Sequence, residues 1–144
     1  MASLSMTTVE RERFLADVHV GVIGIAEPGR APLCVPIWYD YDPAIGVWVV
    51  TGSGSRKGRL LAAAMRYSLC AQVETGLYKY VSVEGPIVEI RAAELERDRR
   101  PMAHRYFGKE FGDQYVASSE SPDNQVYVMA PERWLTVDYA KMAG

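Results

Sequence analysis

The densest grouping of chemistry-bearing residues is TGSGSRKGRLLAAA (51–64), where Ser55, Arg56, Lys57 and Arg59 follow a glycine-rich turn. Ser55 suits an N-cap, and a helix opening there would carry three cations in its first turn. That end of a helix already bears partial positive charge, so acidic residues would be favoured there by about 0.3–1 kcal/mol each and cations disfavoured. Cations at this place, beside glycines that let backbone amides approach a ligand, describe a cradle for a phosphate or similar anion. Helical phase divides them. Arg56, Arg59, Ala63 and Arg66 follow one stripe, whereas Lys57 shares the opposite stripe with Leu60, Leu61, Ala64 and Met65, the face that must pack inward. An unpaired ammonium is costly to bury, so Lys57 belongs at a rim or against a counter-charge. The segment has neither the spacing of a Walker A loop nor that of a dinucleotide GxGxxG fingerprint.

Other reactive side chains form no comparable group. His19 falls in an alternating run and His104 in a helical one, which suits satisfied structural or surface roles. Cys34 and Cys70 are isolated, without a CxxC or a nearby histidine pair, and are expected as buried reduced thiols outside any metal site. Glu84, among valines, is expected to be hydrogen-bonded and structural. ERDRR (96–100) is expected as a solvated helix face. Trp48 and Trp134 suit core or interface positions, and Trp38, which follows Pro36, is the tryptophan best placed to meet a ring system. There is no Ser/His/Asp or metal-ligating constellation, so no catalytic residue is assigned and no metal is expected.

The elements that must position the basic turn follow from periodicity. Thr7 with Glu10 fits a capping box opening a short helix over TVERERFLADV, with residues 1–8 a flexible lead. From residue 18 the period becomes two, and EPGRAP supplies a turn. Leu33, Val35, Ile37, Tyr39 and Tyr41 then form one face of a strand, and DPAIG closes a hairpin onto VWVVT. After the basic helix come YSLCAQVE and YKYVSVEGPIVEI, where Gly85-Pro86 is expected to bulge or bend the strand. A helical excursion over AAELERDRRPMAHRYFGKEFGDQYVAS, broken near Pro101 and Gly108, precedes QVYVM and RWLTVDY. About seven strands linked mostly as hairpins favour a closed or nearly closed barrel, because closure protects strand edges.

With 144 residues, one domain spanning 1–144 is expected. Hydrophobic residues make up 49% and the net charge is -2, an ordinary globular balance with no whole-protein attraction for nucleic acid or acidic membranes. No window reaches the roughly 20 apolar residues of a membrane span, and residues 1–8 lack the pattern of a signal peptide. A cytoplasmic location is expected.

The order of a strand, TGSGSRKGRLLAAAMRYSLCAQV, YKYVSVEGPIVEI, HRYFGKEFGDQY and a closing PERWLTVDY resembles the split β-barrel flavin-binding proteins related to pyridoxamine 5'-phosphate oxidase. It looks most like their branch that uses the deazaflavin coenzyme F420. The resemblance covers roughly residues 9–140. It implies a mainly β, Greek-key split barrel that pairs as a homodimer, with the cofactor in a groove between the two barrels. It places the cofactor phosphate on Ser55, Arg56 and Lys57, and the ring system along Pro36, Ile37 and Trp38 and along Val50, Thr51 and Gly52. Lys79 and Tyr80 match a strand that relatives use near the groove. The chain ends in RWLTVDYAKMAG rather than in the Arg/His segment of the oxidases that act on vitamin B6, which argues against that substrate.

The implied activity is hydride transfer between reduced F420 and a small organic substrate, with a proton supplied by Tyr78, Tyr80, Lys79 or water. A stripe of Arg56, Arg59 and Arg66 would suit the coenzyme's polyglutamate tail. The bias to 12 arginines over 4 lysines suits a GC-rich genome, the setting in which this coenzyme mainly occurs. The alternatives are a flavin mononucleotide (FMN)-dependent oxidase or reductase, or a carrier that holds a deazaflavin, flavin or haem without turning it over.

Overall fold

The computed structural model describes residues 3–119 and 122–143. Thr7 caps α1 (Thr8–Ala16) in the expected box: Glu10 N donates to the Thr7 hydroxyl at 3.2 Å, and Thr7 N donates to the Glu10 carboxylate at 2.7 Å. Eight strands follow in one antiparallel sheet: β1 (Gly21–Ile25), β2 (Leu33–Ile37), β3 (Tyr39–Asp42), β4 (Gly46–Gly52), β5 (Arg66–Val73), β6 (Lys79–Ala92), β7 (Asn124–Met129) and β8 (Arg133–Asp138). α2 (Arg56–Ala64) joins β4 to β5, and α3 (Arg100–Ser118) precedes β7.

The spatial order is β2-β1-β5-β6-β7-β4-β3, with β8 added beside β6. The two ends of this path, β2 and β3, are one stretch of chain parted at Trp38, so the sheet curls back on itself as a split barrel. Periodicity reads residues 33–41 as a single strand because the inward face continues unbroken through Ile37, Tyr39 and Tyr41, all buried. What changes at Trp38 is the partner: Ile37 pairs with Gly21 of β1, whereas Tyr39 pairs with Val49 of β4. That exchange makes eight strands out of the expected seven or so.

β6 makes a similar exchange, pairing with β5 from Lys79 to Pro86 and with β7 from Ile87. The register slips between Ile87 and Glu89, so the bulge lies just past Gly85-Pro86, and Val88 and Glu89 turn outward after the buried Ile87. Inside the barrel, Ile23, Ile25, Val47, Val49, Leu69, Val81 and Val83 are fully buried or nearly so. The Tyr67 hydroxyl reaches the carbonyls of Val47 (3.1 Å) and Tyr127 (3.0 Å), satisfying a phenol that would otherwise be costly to bury.

The helical excursion differs in detail from its sequence reading. A π-helical turn (Leu95–Arg99) runs directly into α3, and Pro101 sits just past the junction without breaking the helix. The break is at Gly108, whose φ of 78° and ψ of 176° are tolerated by glycine alone. ERDRR is not a solvated face: the Asp98 carboxylate is buried, receives Arg91 through two hydrogen bonds of 2.7 and 2.8 Å, and accepts Glu94 N at 2.8 Å. Cys34 likewise departs from expectation. It lies exposed on edge strand β2, while Cys70 is half-buried. No helix among the described residues is long and apolar enough to cross a membrane.

Candidate functional site

α2 starts where the sequence places it. The Ser55 hydroxyl accepts Gly58 N at 3.0 Å and donates to the Gly52 carbonyl at 2.7 Å, so it is engaged in holding the turn. Gly58 makes the close approach possible: a Cβ at this position would lie 2.1 Å from the Gly52 oxygen. The turn is also tied to β7, with Ser53 N donating to the Asp123 carbonyl (3.0 Å) and Gly54 N to its carboxylate (3.4 Å). Gly58 N is taken by Ser55 and Arg59 N by the Ser55 carbonyl, which leaves the Arg56 and Lys57 amides without a hydrogen-bond partner among the described residues. The first turn contains no acidic residue. Two free amides at the positive end of a helix are what an anion needs.

The cations of this turn are not equivalent. Arg56 donates to Glu27 at 2.6 Å, and this guanidinium holds the Glu27 carboxyl below its ordinary value. Arg59 donates to the Gly54 carbonyl. Arg66 is shared between Glu132 (2.8 Å) and Glu84 (3.4 Å), which is the structural role expected of Glu84. Lys57 is half-buried and makes no hydrogen bond or ion pair with any described residue. Leu61 is buried and Leu60 and Ala64 are half-buried on the same stripe, as phase predicts. Met65 departs from it: as the left-handed C-cap (φ 52°) it leaves the helix and is exposed.

The ring stretches meet at the seam. With Tyr39 opposite Val49, continued pairing would place Trp38 opposite Val50 and Ile37 opposite Thr51, but β2 departs to β1 instead. The β3 side of Val50 and Thr51 is therefore a backbone edge that β2 leaves unpaired, facing the parting chain at Pro36, Ile37 and Trp38, and it runs straight into the α2 turn, where the Gly52 carbonyl is taken by Ser55. Ile37 and Thr51 direct their side chains into the core, so a ligand would meet their backbone; Pro36 is exposed, and Trp38 and Val50 are half-buried. Lys79 and Tyr80 are not part of this group. They lie on β6, which β1 and β5 separate from Pro36 and Ile37 on β2 and which β7 separates from β4. Lys79 instead lines a cleft under α1 with Arg13, His19 and Asp138. His19 there stacks on Phe14 and bonds to its carbonyl at 3.0 Å, a structural role.

Residues from α3 that the sequence did not single out fix the seam. Tyr106 stacks on Trp38 (5.0 Å, 7° between planes). Its hydroxyl accepts Tyr39 N at 3.0 Å and lies 2.6 Å from the His19 carbonyl. Arg105 donates to the carbonyls of Tyr39, Ala16 and Asp17 at 2.9–3.0 Å, tying α3 and α1 to β3. Phe107 and Tyr115 border Trp38 from the same helix. The available signal was the aromatic pair Phe111 and Tyr115, four apart on the helix that follows the Gly108 break. Across the Gly108 kink, His104 and Arg100 meet Asp113 at 2.6 and 2.8 Å, which keeps that carboxyl far below its ordinary value.

The sequence pattern of the family described as pyridoxamine 5'-phosphate oxidase matches residues 7–138. No curated protein matches the chain. Among solved structures, a conserved hypothetical protein of Mycobacterium tuberculosis superposes with a TM-score of 0.79 at 21% identity, over 100% of this chain and 92% of that one. A protein described as an F420 reductase gives 0.61 at 18% identity, covering 86% and 94%, and a FAD-binding protein of Mesorhizobium loti gives 0.65 at 17% identity, covering 92% and 94%. These likenesses show a common fold. With the match spanning nearly its whole length, the chain belongs to the pyridoxamine 5'-phosphate oxidase family of split β-barrels.

Proposed function

We propose that this protein is an oxidoreductase that binds a phosphate-bearing flavin-type cofactor, the deazaflavin F420 in preference to FMN, and transfers a hydride between it and a small organic substrate. The observation that carries the reading is the α2 turn. There a half-buried Lys57 adjoins two backbone amides at the end of the unpaired β4 edge, and none of the three has a partner among the described residues. These groups fit a phosphate: the Arg56 and Lys57 amides and the Lys57 ammonium would hold it, with Ser55 shaping the turn through its backbone-directed bonds. Pro36 to Trp38 and Val50 to Gly52 would flank the ring system and exclude water from it. When bound, the cofactor supplies the hydride chemistry, and the chain supplies binding and orientation. The choice of F420 rests on motif order and is supported by the fold shared with an F420 reductase.

One observation favours FMN as the second reading. Arg56 and Arg66 already meet carboxylates, so the stripe that would follow a polyglutamate tail is largely neutralised, while a single compact phosphate needs only Lys57 and the amides. Homodimer formation belongs to the same proposal. Val22, Cys34 and Leu135 are exposed on the outer sheet face, and a second copy is the route by which Lys79 and Tyr80 would come to the groove. Titration of the purified protein with F420 and with FMN, with light scattering to fix the oligomeric state, tests the binding reading; absence of saturable binding by either cofactor overturns it. Mixing the reduced complex with enones, quinones and tetrapyrroles then tests turnover. A cofactor that never changes oxidation state would make the protein a carrier.

A further inference from the structure

A carboxylate stands over the glycine turn that leads into α2. Asp123 immediately precedes β7, whose Asn124 pairs with Gly52, so backbone pairing fixes its place beside the end of β4. Its carbonyl accepts Ser53 N at 3.0 Å and its carboxylate accepts Gly54 N at 3.4 Å. The carboxylate lies close above the glycines: a Cβ on Gly52 would sit 2.9 Å from Oδ2, and one on Gly54 3.6 Å from it.

No cation among the described residues forms an ion pair with Asp123. Arg59 reaches the carbonyl of the same Gly54 instead, and Arg56 goes to Glu27. From Gly54 to the Lys57 amide is three residues, at most about 11 Å of extended chain and less once the helix starts. An anion on the Arg56 and Lys57 amides is therefore within about one Debye length of the carboxylate, ~10 Å in 0.1 M salt. Repulsion between them scales with the charge of the incoming group. A phosphate monoester such as FMN carries close to two negative charges above its second ionisation at about pH 6, whereas the phosphodiester of F420 carries one.

We propose that Asp123 is a specificity-determining residue of the cofactor site and sets a singly charged phosphodiester ahead of a doubly charged phosphate monoester. The inference rests on the cofactor reading above and deepens it, because it finds a reason to favour F420 over FMN in this chain's own residues. Lys57 and the two amides attract either group. Asp123 opposes both, and opposes the monoester twice as strongly. It does so through its charge alone, since its bond to Gly54 N is open equally to a neutral carboxamide oxygen.

The test is equilibrium titration of wild type, Asp123→Asn and Asp123→Ser with FMN, with its methyl phosphodiester and with F420, at low ionic strength and about pH 8, where the monoester is fully ionised. FMN and its methyl diester share one ring and differ in charge, so they are the decisive pair. Asp123→Asn should tighten the diester about threefold and FMN about ninefold, because doubling the charge squares the factor. Wild type should favour F420 over FMN, and the variant should narrow that margin. Asp123→Ser, also neutral, should act the same way and carries the test if Asp123→Asn does not fold. In about 1 M salt, where the Debye length is ~3 Å, the gap between variant and wild type should close; an effect of altered turn structure would persist. Equal responses of FMN and the diester, no response of either, or a gap that survives high salt overturns the proposal and leaves the cofactor reading standing. No saturable binding of any of the three ligands overturns both.

Discussion

Two basic segments, SRKGR at 55–59 and ERDRR at 96–100, look alike on paper and end in opposite states. In the second, most of the charges are consumed by folding, and Arg97 alone stays exposed and unpaired among the described residues. Arg100 is held by Glu96 (2.9 Å) and Asp113 (2.8 Å), Arg99 by Ser119, and the acidic member, Asp98, is buried against Arg91. In the first, Arg56 alone is matched by a carboxylate, while Lys57 and the amides beside it stay unpaired among the described residues. A half-buried cation that the fold leaves without a partner, beside free amides at the positive end of a helix, signals a ligand far better than a count of basic residues does.

Substitutions can break this contrast, and the largest effect belongs to the consumed segment. Asp98→Ala strands Arg91 and the Glu94 amide, and should cost about 3 kcal/mol of stability, the low end for a broken buried pair because Arg91 keeps some contact with solvent. Urea denaturation would read it, and a loss under 1 kcal/mol would mean that the pair contributes little. Lys57→Ala should do the reverse, changing stability by no more than about 0.5 kcal/mol while weakening anion binding by about 1.5–3 kcal/mol.

Smaller changes sharpen the contrast. Glu27→Gln releases Arg56 from an exposed ion pair, at a small cost in stability, and should tighten cofactor binding a few-fold if Arg56 can then reach the phosphate. Unchanged affinity would leave Lys57 as the sole side-chain anchor. The smallest effect is a pH dependence. Because Arg56 lowers the folded-state pKa of Glu27, the pair's contribution is present above the ordinary glutamate value of 4.5 and is lost as pH falls through the lowered one. Wild type should therefore lose slightly more stability than Glu27→Gln on acidification below pH 4.5, as paired melting curves would show.

Local chemistry made much of this legible beforehand. The capping box at Thr7, the Ser55 cap, the DPAIG hairpin and the inward stripe of α2 each depend on residues within a turn or two of one another. What stayed hidden depends on distant partners. The parting of β2 from β3 leaves the alternation intact, so nothing in residues 33–41 announces that Ile37 and Tyr39 bond to different strands. Asp98 looks solvated until β6 brings Arg91 to it, and Arg66 looks like part of a free basic stripe until Glu132 arrives from the β7–β8 turn. The same blindness hid Tyr106 and Tyr115, whose place beside Trp38 follows from how α3 crosses the seam.

The most direct test compares dissociation constants for F420 and for FMN in wild type and Lys57→Ala at fixed ionic strength. The account predicts saturable binding to wild type and a loss of about 10- to 100-fold in the variant, with no change in its melting temperature large enough to explain it. Equal affinity in the two proteins would contradict it, because the unpaired ammonium would then be a surface charge and the cofactor would lie elsewhere.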